Sequence, residues 1–264
     1  MIGFFITVPI ITYLSMIAFQ RMNLSVINFE GRYVPYSLGV IIIYSYSFMY
    51  AFVPGVNRSL ALPAFLFILT IWLLGFIDDV YGKTYPKGLK GHVSYFFKHK
   101  VVTTGLLKAG GTIIAALIYL WVNEYPFSLA FIVAFLLLTG FPHVVNLFDT
   151  RPLRVWKLTV CLTIVVLVLN PLPSFLFVLM VVTVFYIWNV LEGYRKAMLG
   201  DNGATVIGAI LAVVVVNQLS MLAQYLMLLF VLTLILVAER YSFSTIIERS
   251  NLLKAIDGIG VIRK

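Results

Sequence analysis

Apolar positions in this chain run together in long blocks instead of recurring as the one-sided stripe of a soluble helix or the alternation of a half-buried strand. Blocks near the length that crosses a bilayer, about 20 helical residues, fall near 2–19, 37–53, 60–77, 104–122, 128–147, 155–169, 173–191, 203–219 and 221–238. Several are short or contain Gly and Pro, which predicts tilted or interrupted helices. The first has no basic residue ahead of it and Gln20–Arg21 behind it. That is the reverse of a cleavable leader, so a retained helix is expected. The pattern predicts an all-α polytopic membrane protein of about nine transmembrane helices, with a membrane domain over 1–238 and a tail over 239–264. The tail mixes Phe243, Ile246, Ile247, Leu252, Leu253 and Ile256 with Glu248, Arg249 and Lys254. It reads as an amphipathic helix lying on the membrane or on the protein, and Asp257 within it carries no expected role.

Composition agrees. Hydrophobic residues make up 62% of the chain and charged residues 11%, against about 45–50% and about 25% in soluble domains. A soluble fold of this size has no interior for so much apolar surface. The single cysteine, Cys161, excludes an intrachain disulfide framework. A net charge of +9 raises the question of a nucleic-acid partner, and the placement of the charges answers it. With residue 1 outside, Arg21, Arg32, Lys83, Lys87, Lys90, Lys98, Lys100, Lys108, Arg151, Arg154, Lys157, Arg195, Lys196 and the basic residues of the tail all fall on the inner side, and Arg58 falls outside. The positive-inside rule therefore orients the N-terminus outside and the C-terminus in the cytoplasm. The lysines hold the loops to an anionic leaflet, and no nucleic acid is required. Of the ten acids, only Glu124 is assigned outside, so polar chemistry is expected at the inner face.

Three of those acids sit in unfavourable places. The third block ends in Gly75-Phe76-Ile77-Asp78-Asp79, and the fifth in Asn146-Leu147-Phe148-Asp149. Carboxylates at the C-terminal end of a helix oppose its dipole, and ionised groups beside hydrocarbon are costly and usually functional. They call for positive charge between them, and a hard divalent cation, Mg²⁺ above all, supplies it with oxygen ligands and water. Solvated acids flanking a span are the alternative. Asp201, in Leu199-Gly200-Asp201-Asn202-Gly203, opens the eighth block. It is placed as an N-cap, or as a metal ligand where the free N–H groups of a helix start attract phosphate. Lys108 lies inside the fourth block just before Gly110–Gly111. It either snorkels or reaches a phosphate past a close helix approach. His92 and His99 read as loop residues, and His143 as facing either a neighbouring helix or the site.

Asp78-Asp79, then Asn146-Leu147-Phe148-Asp149, then Gly200-Asp201-Asn202-Gly203, with Gly31-Arg32-Tyr33-Val34-Pro35 before them, resemble in order and position the polyprenyl-phosphate N-acetylhexosamine-1-phosphate transferases, the superfamily of MraY, WecA and TagO. The resemblance implies transfer of a sugar-1-phosphate from a UDP-sugar to undecaprenyl phosphate or another polyprenyl phosphate, with release of UMP. This would be the first membrane step of a cell-envelope glycan pathway at a bacterial cytoplasmic membrane. It implies Mg²⁺, with Mn²⁺ as the alternative, and is compatible with a homodimer. On this resemblance Asp78, Asp79 and Asp149 are catalytic carboxylates, Asp201 and Asp78 metal ligands, and Asn146, Lys108, Lys90, Arg32, Arg151 and Asn202 substrate contacts.

The departures mark a compact, divergent branch. Pro152 replaces a second aspartate after Asp149, Gly82 with Lys83 adjacent stands where a lysine is usual, and His143 stands for an asparagine. No histidine follows His143, and the chain stops about one span early. The competing readings are a degenerate member that binds a lipid phosphate or partner without turnover, and a membrane transporter. A transporter would want carboxylates at mid-span and paired repeats, and neither is found.

Overall fold

A computed structural model of the chain describes residues 2–28, 31–53, 58–82 and 88–262, the last stretch with side chains from residue 91 onward. The elements in order are α1 (Ile2–Arg21), β1 (Ser25–Ile27), β2 (Tyr33–Pro35), α2 (Leu38–Phe52), a 3-10 turn (Arg58–Leu60), α3 (Leu62–Tyr81), α4 (Gly88–His99) and α5 (Thr104–Val122). There follow α6 (Leu129–Phe148), α7 (Arg154–Leu169), α8 (Phe175–Gly193), α9 (Gly200–Gln218), α10 (Met221–Arg240), α11 (Phe243–Arg249) and α12 (Asn251–Gly258). The nine apolar blocks become α1, α2, α3 and α5–α10. Seven of these are long and apolar enough to cross a membrane, α2 being shorter at 15 residues and α7 at 16. The chain is an all-α polytopic membrane protein.

Two pieces of local structure depart from the sequence reading. Ser25–Ile27 and Tyr33–Pro35 form an antiparallel hairpin, with Val26 opposite Val34. The segment after the aspartate pair, read as loop, contains helix α4, on which Val93, Phe96 and Phe97 recur at helical spacing.

The bundle is organised around α9. About 78% of its apolar window is buried, against 17–50% in the other six long helices. Its main neighbours are α6 and α3, followed by α2. Lipid tails are as apolar as leucine, so burial alone does not drive such contacts, and close backbone approach through small residues does. A Cβ at Gly75 of α3 would lie 2.6 Å from Thr205 Oγ1 and 2.7 Å from the Asp201 carbonyl oxygen. On the other side, a Cβ at Gly208 would lie 2.5 Å from Cα of Pro142 in α6. These glycines let α3 approach the first turn of α9, and α6 its middle, to within backbone distance.

Gly75→Ala should therefore push α3 and the first turn of α9 apart, since the atoms it meets are largely main chain. An overpacked core costs about 1–3 kcal/mol. Thermal unfolding in detergent should shift downward for Gly75→Ala and stay unchanged for Gly110→Ala, because the space around Gly110 is open. Equal melting temperatures for the two variants would contradict this packing.

The hairpin is tied to the entrance of α9. The Met198 N–H donates to the Pro35 carbonyl at 3.0 Å, and the Leu38 N–H donates to the Met198 carbonyl at 3.2 Å. The chain then enters α9 through Gly200 at φ +65°, where a Cβ would meet Asp79 Oδ1 at 3.0 Å. Only glycine takes that conformation without strain, and it aims the first N–H groups of α9 at the ends of α3 and α6.

Candidate active site

The carboxylates at the ends of α3 and α6 meet the N-terminus of α9. Asp79 accepts from the backbone N–H of Asp201 (2.9 Å) and of Asn202 (2.8 Å), and from the Asn202 amide (2.6 Å). Asp149, the residue after α6, accepts from the Gly200 N–H. The positive charge that these acids require is supplied first by a helix start, with its free N–H groups and dipole. That corrects one expectation: the first turn of α9 is filled by the protein's own carboxylates and is not a vacant phosphate cradle.

Lys108 supplies the second cation. Its ammonium bridges Asp78 Oδ2 and Asp201 Oδ2, and the Thr104 hydroxyl donates to Asp78. Snorkelling toward solvent is thereby replaced by an inward reach, made on α5 one turn inside its N-cap Thr103. The neighbouring glycines divide in function: Gly111 packs against Leu74 of α3, and Gly110 faces open space.

Asn202 is fully buried, and its amide donates to the Tyr36 carbonyl (3.0 Å), to Asp79 and to the Leu199 carbonyl (3.3 Å). Expected as a substrate contact, it instead fastens the β2–α2 link to the start of α9, because no face of it reaches solvent. Only the amide nitrogen of the Asn202 side chain is paired: its Oδ1, like Oδ1 of Asn146, is buried with no hydrogen-bond partner among the described residues. Such an acceptor one turn from Asp149 is uncommon in a finished core. Arg151 lies on the α6–α7 loop, 3.3 Å from Glu248, and Arg32 is exposed on the hairpin, its N–H donating to Asn28 Oδ1 at 3.0 Å. Lys83 and Lys87 lie outside the described residues, as does the side chain of Lys90. His143 is exposed on α6, and His92 Nδ1 sits 2.8 Å from Thr103 Oγ1, bracing α4 against the start of α5.

Sequence reasoning missed Glu192. It is buried in the last turn of α8, accepts from Trp188 Nε1 at 2.6 Å and from the Leu153 N–H, and faces Asp149. Its signal was present: an acid ending an apolar block, as at Asp79 and Asp149, with tryptophan four residues before it on the same face. Together with Asp149, Thr150, Arg151 and Arg195 it lines a cavity of about 80 Å³ beside the carboxylate cluster.

Burial pushes Asp149 well above the ordinary carboxylate range, with Glu192, Asp201 and Asp79 adding repulsion and the Gly200 N–H opposing it. A carboxyl with a raised folded pKa loses stability as pH rises from its unfolded value through its folded one. Asp149→Asn is therefore expected to melt higher than the wild type at neutral pH. The gap should close below about pH 4, where both states are protonated. A constant gap from pH 4 to pH 8 would show that Asp149 is not held under this strain.

The donor chemistry suits a hard divalent ion. Among the described residues no three His, Cys, Asp or Glu side chains form a metal cage. The oxygens of Asp78 and Asp201 nevertheless converge on one cation, and Mg²⁺ is ordinarily held by one or two carboxylates with water and substrate phosphate completing the shell. The residues present fit that arrangement.

Half-buried carboxylates, one ammonium and a helix start are gathered at one end of a membrane bundle and form the candidate site. The sequence model of Glycosyl transferase family 4 matches residues 61–219, more than half of the chain and the stretch that carries Asp78, Lys108, Asp149 and Asp201. The chain belongs to that family and is a membrane-bound transferase. No curated protein and no solved structure matches it.

Proposed function

We propose that the protein transfers a sugar-1-phosphate from a UDP-sugar to undecaprenyl phosphate or a related polyprenyl phosphate, releasing UMP at the cytoplasmic face of a bacterial membrane. The observation that carries this reading is the pair Asp78 and Asp201 converging on Lys108 where apolar helices end. A lipid phosphate and a water-soluble diphosphate can meet only at such a level. An oxygen of the lipid phosphate bonds to the β-phosphorus of the donor. The bond from that phosphorus to the bridging oxygen breaks, and UMP departs with the electron pair. A divalent ion on Asp78 and Asp201 would neutralise the diphosphate.

The chain's own residues have separate tasks in this scheme. Lys108 compensates two anionic partners brought together. Asp149, whose proton affinity is raised by burial, is placed to take the second proton of a phosphate monoester. Asp79 and Asn202 set the position of Asp201. Arg151 faces the donor side. The polyprenyl tail is assigned to an apolar cavity of about 580 Å³ among α2, α7, α8 and α9, walled by Ile42, Tyr46, Trp188, Ile207 and Val214.

The test is UMP release by detergent-purified protein given undecaprenyl phosphate, Mg²⁺ and a panel of UDP-sugars. Release that depends on lipid and is abolished by EDTA from one donor supports the reading and names the sugar. Silence across the panel with lipid phosphate still bound turns it toward binding without turnover.

A further inference from the structure

The Asp149–Leu153 loop carries Asp149 and Arg151, and it is strained. Leu153 is fully buried at φ +64°, a left-handed conformation that a bulky side chain adopts only when its surroundings over-determine it. Those surroundings come from two places. Glu192 of α8 accepts the Leu153 N–H, and the C-terminal segment supplies the rest. Gly260, at φ +78°, approaches so closely that a Cβ there would stand 3.0 Å from Leu153 Cδ1, and the Ile262 N–H donates to the Gly193 carbonyl at 3.2 Å.

The next residue, Arg154, joins the loop to the tail. Its guanidinium is 4% exposed and bidentate to Asp257, at 2.8 Å from Nε and 2.9 Å from Nη2. Its Nη1 donates to Thr150 Oγ1 of the loop (2.7 Å) and to Ser244 Oγ of α11 (2.8 Å). The Lys157 ammonium donates to the Asp257 carbonyl at 2.6 Å. Phe243 stacks on Phe148, the last residue of α6, with ring centroids 4.4 Å apart. A buried guanidinium is costly unless it is paired and hydrogen-bonded, and here one carboxylate and two hydroxyls from three segments take four of its five N–H groups. The expected amphipathic tail is two short helices seated on the protein, with Asp257 among the residues that hold them there.

We propose that the segment from Phe243 to Ile262 is a clasp that holds the Asp149–Leu153 loop in its strained, donor-ready shape, with Asp257 as the positioning residue that acts through Arg154. Asp257 touches no substrate. Its loss lets Leu153 relax and Arg151 drift from the diphosphate donor, while Asp149, tied at the other end of the loop to the Gly200 N–H, and Asp78, Lys108 and Asp201, on α3, α5 and α9, keep their places.

The catalytic half of this inference rests on the transferase reading, so two readouts are needed on the full-length detergent-purified protein. The first is hydrogen exchange. Asp257→Asn should speed exchange of the amides at 149–154 about tenfold, with α3 and α9 unchanged. Ser244→Ala, which removes one bond to Arg154, should give the same pattern at smaller size. The second is kinetic. Asp257→Asn should raise the donor KM about tenfold with kcat and the lipid KM within twofold, since misplacement of a positioning group falls on the substrate it positions. Asp257→Glu should recover most of it. Exchange that is unaltered, or faster throughout the bundle, overturns the clasp, as does a kcat loss with the donor KM unmoved. A wild type silent with every donor would sink the transferase reading and leave the exchange experiment to decide the clasp.

Discussion

Asp201→Asn is expected to fold normally and to lose turnover by about a thousandfold, the scale seen when one preorganised electrostatic contact to a reacting group is removed. The amide has the shape of the carboxylate, and the backbone of Asp201 is held independently of its side chain. Its N–H is bound by Asp79, and its carbonyl accepts from the Thr205 hydroxyl at 2.6 Å. What disappears is one of the two negative charges that converge on Lys108. With Asp78 left as the carboxylate on Lys108, a divalent ion bound as proposed would keep one protein ligand in place of two. The Mg²⁺ concentration for half-maximal rate should rise with the fall in rate. Asp78→Asn should behave alike. Measurement is by UMP release across a Mg²⁺ titration, with thermal unfolding as the check on folding. Wild-type turnover in both variants would remove the pair from the chemistry.

The outline of this molecule was legible because membrane folding exposes its rules in one dimension. The helix-forming blocks are apolar because lipid is their solvent, and Asp78, Asp79, Asp149 and Asp201 stand out because a charge at the edge of hydrocarbon is expensive. What answers those charges was not legible. That the N–H groups of Gly200, Asp201 and Asn202 would meet Asp79 and Asp149 depends on α9 threading between α3 and α6, a contact between segments some 120 residues apart in the chain. Lys108 allowed two readings because a lysine inside an apolar block has the same composition whether it reaches outward or inward. Asn202 looked like a substrate contact because its neighbour Asp201 does, yet successive residues on a helix point to different faces. Arg154 and Asp257 are about a hundred residues apart, and each alone reads as ordinary loop or tail charge. Leu153 carries no mark at all, since nothing in a leucine announces a left-handed backbone.

Asp79 separates geometry from chemistry most sharply. The sequence places it with Asp78 as a catalytic pair, for which an amide substitution would stop turnover and spare the fold. The structure gives it three internal hydrogen bonds at the first turn of the most buried helix. Asp79→Ala would strand two buried backbone N–H groups and one face of Asn202, at about 1–3 kcal/mol for each unsatisfied group. It also removes a negative charge from a helix N-terminus. A loss of about 3–5 kcal/mol follows from these groups together, and for a chain of this size that lowers the melting temperature by about 10 °C. Asp79→Asn keeps one acceptor oxygen and turns an N–H₂ toward a donor, so it should fall between. Both variants should also lose turnover, because Asp201 is positioned from the same backbone. The diagnostic is the ordering in thermal unfolding: wild type and Asp201→Asn together, Asp79→Asn lower, Asp79→Ala lowest. Should Asp79→Ala melt with the wild type while turnover vanishes, Asp79 is a reacting group. The start of α9 would then be held by Asn202 and Asp149 without it.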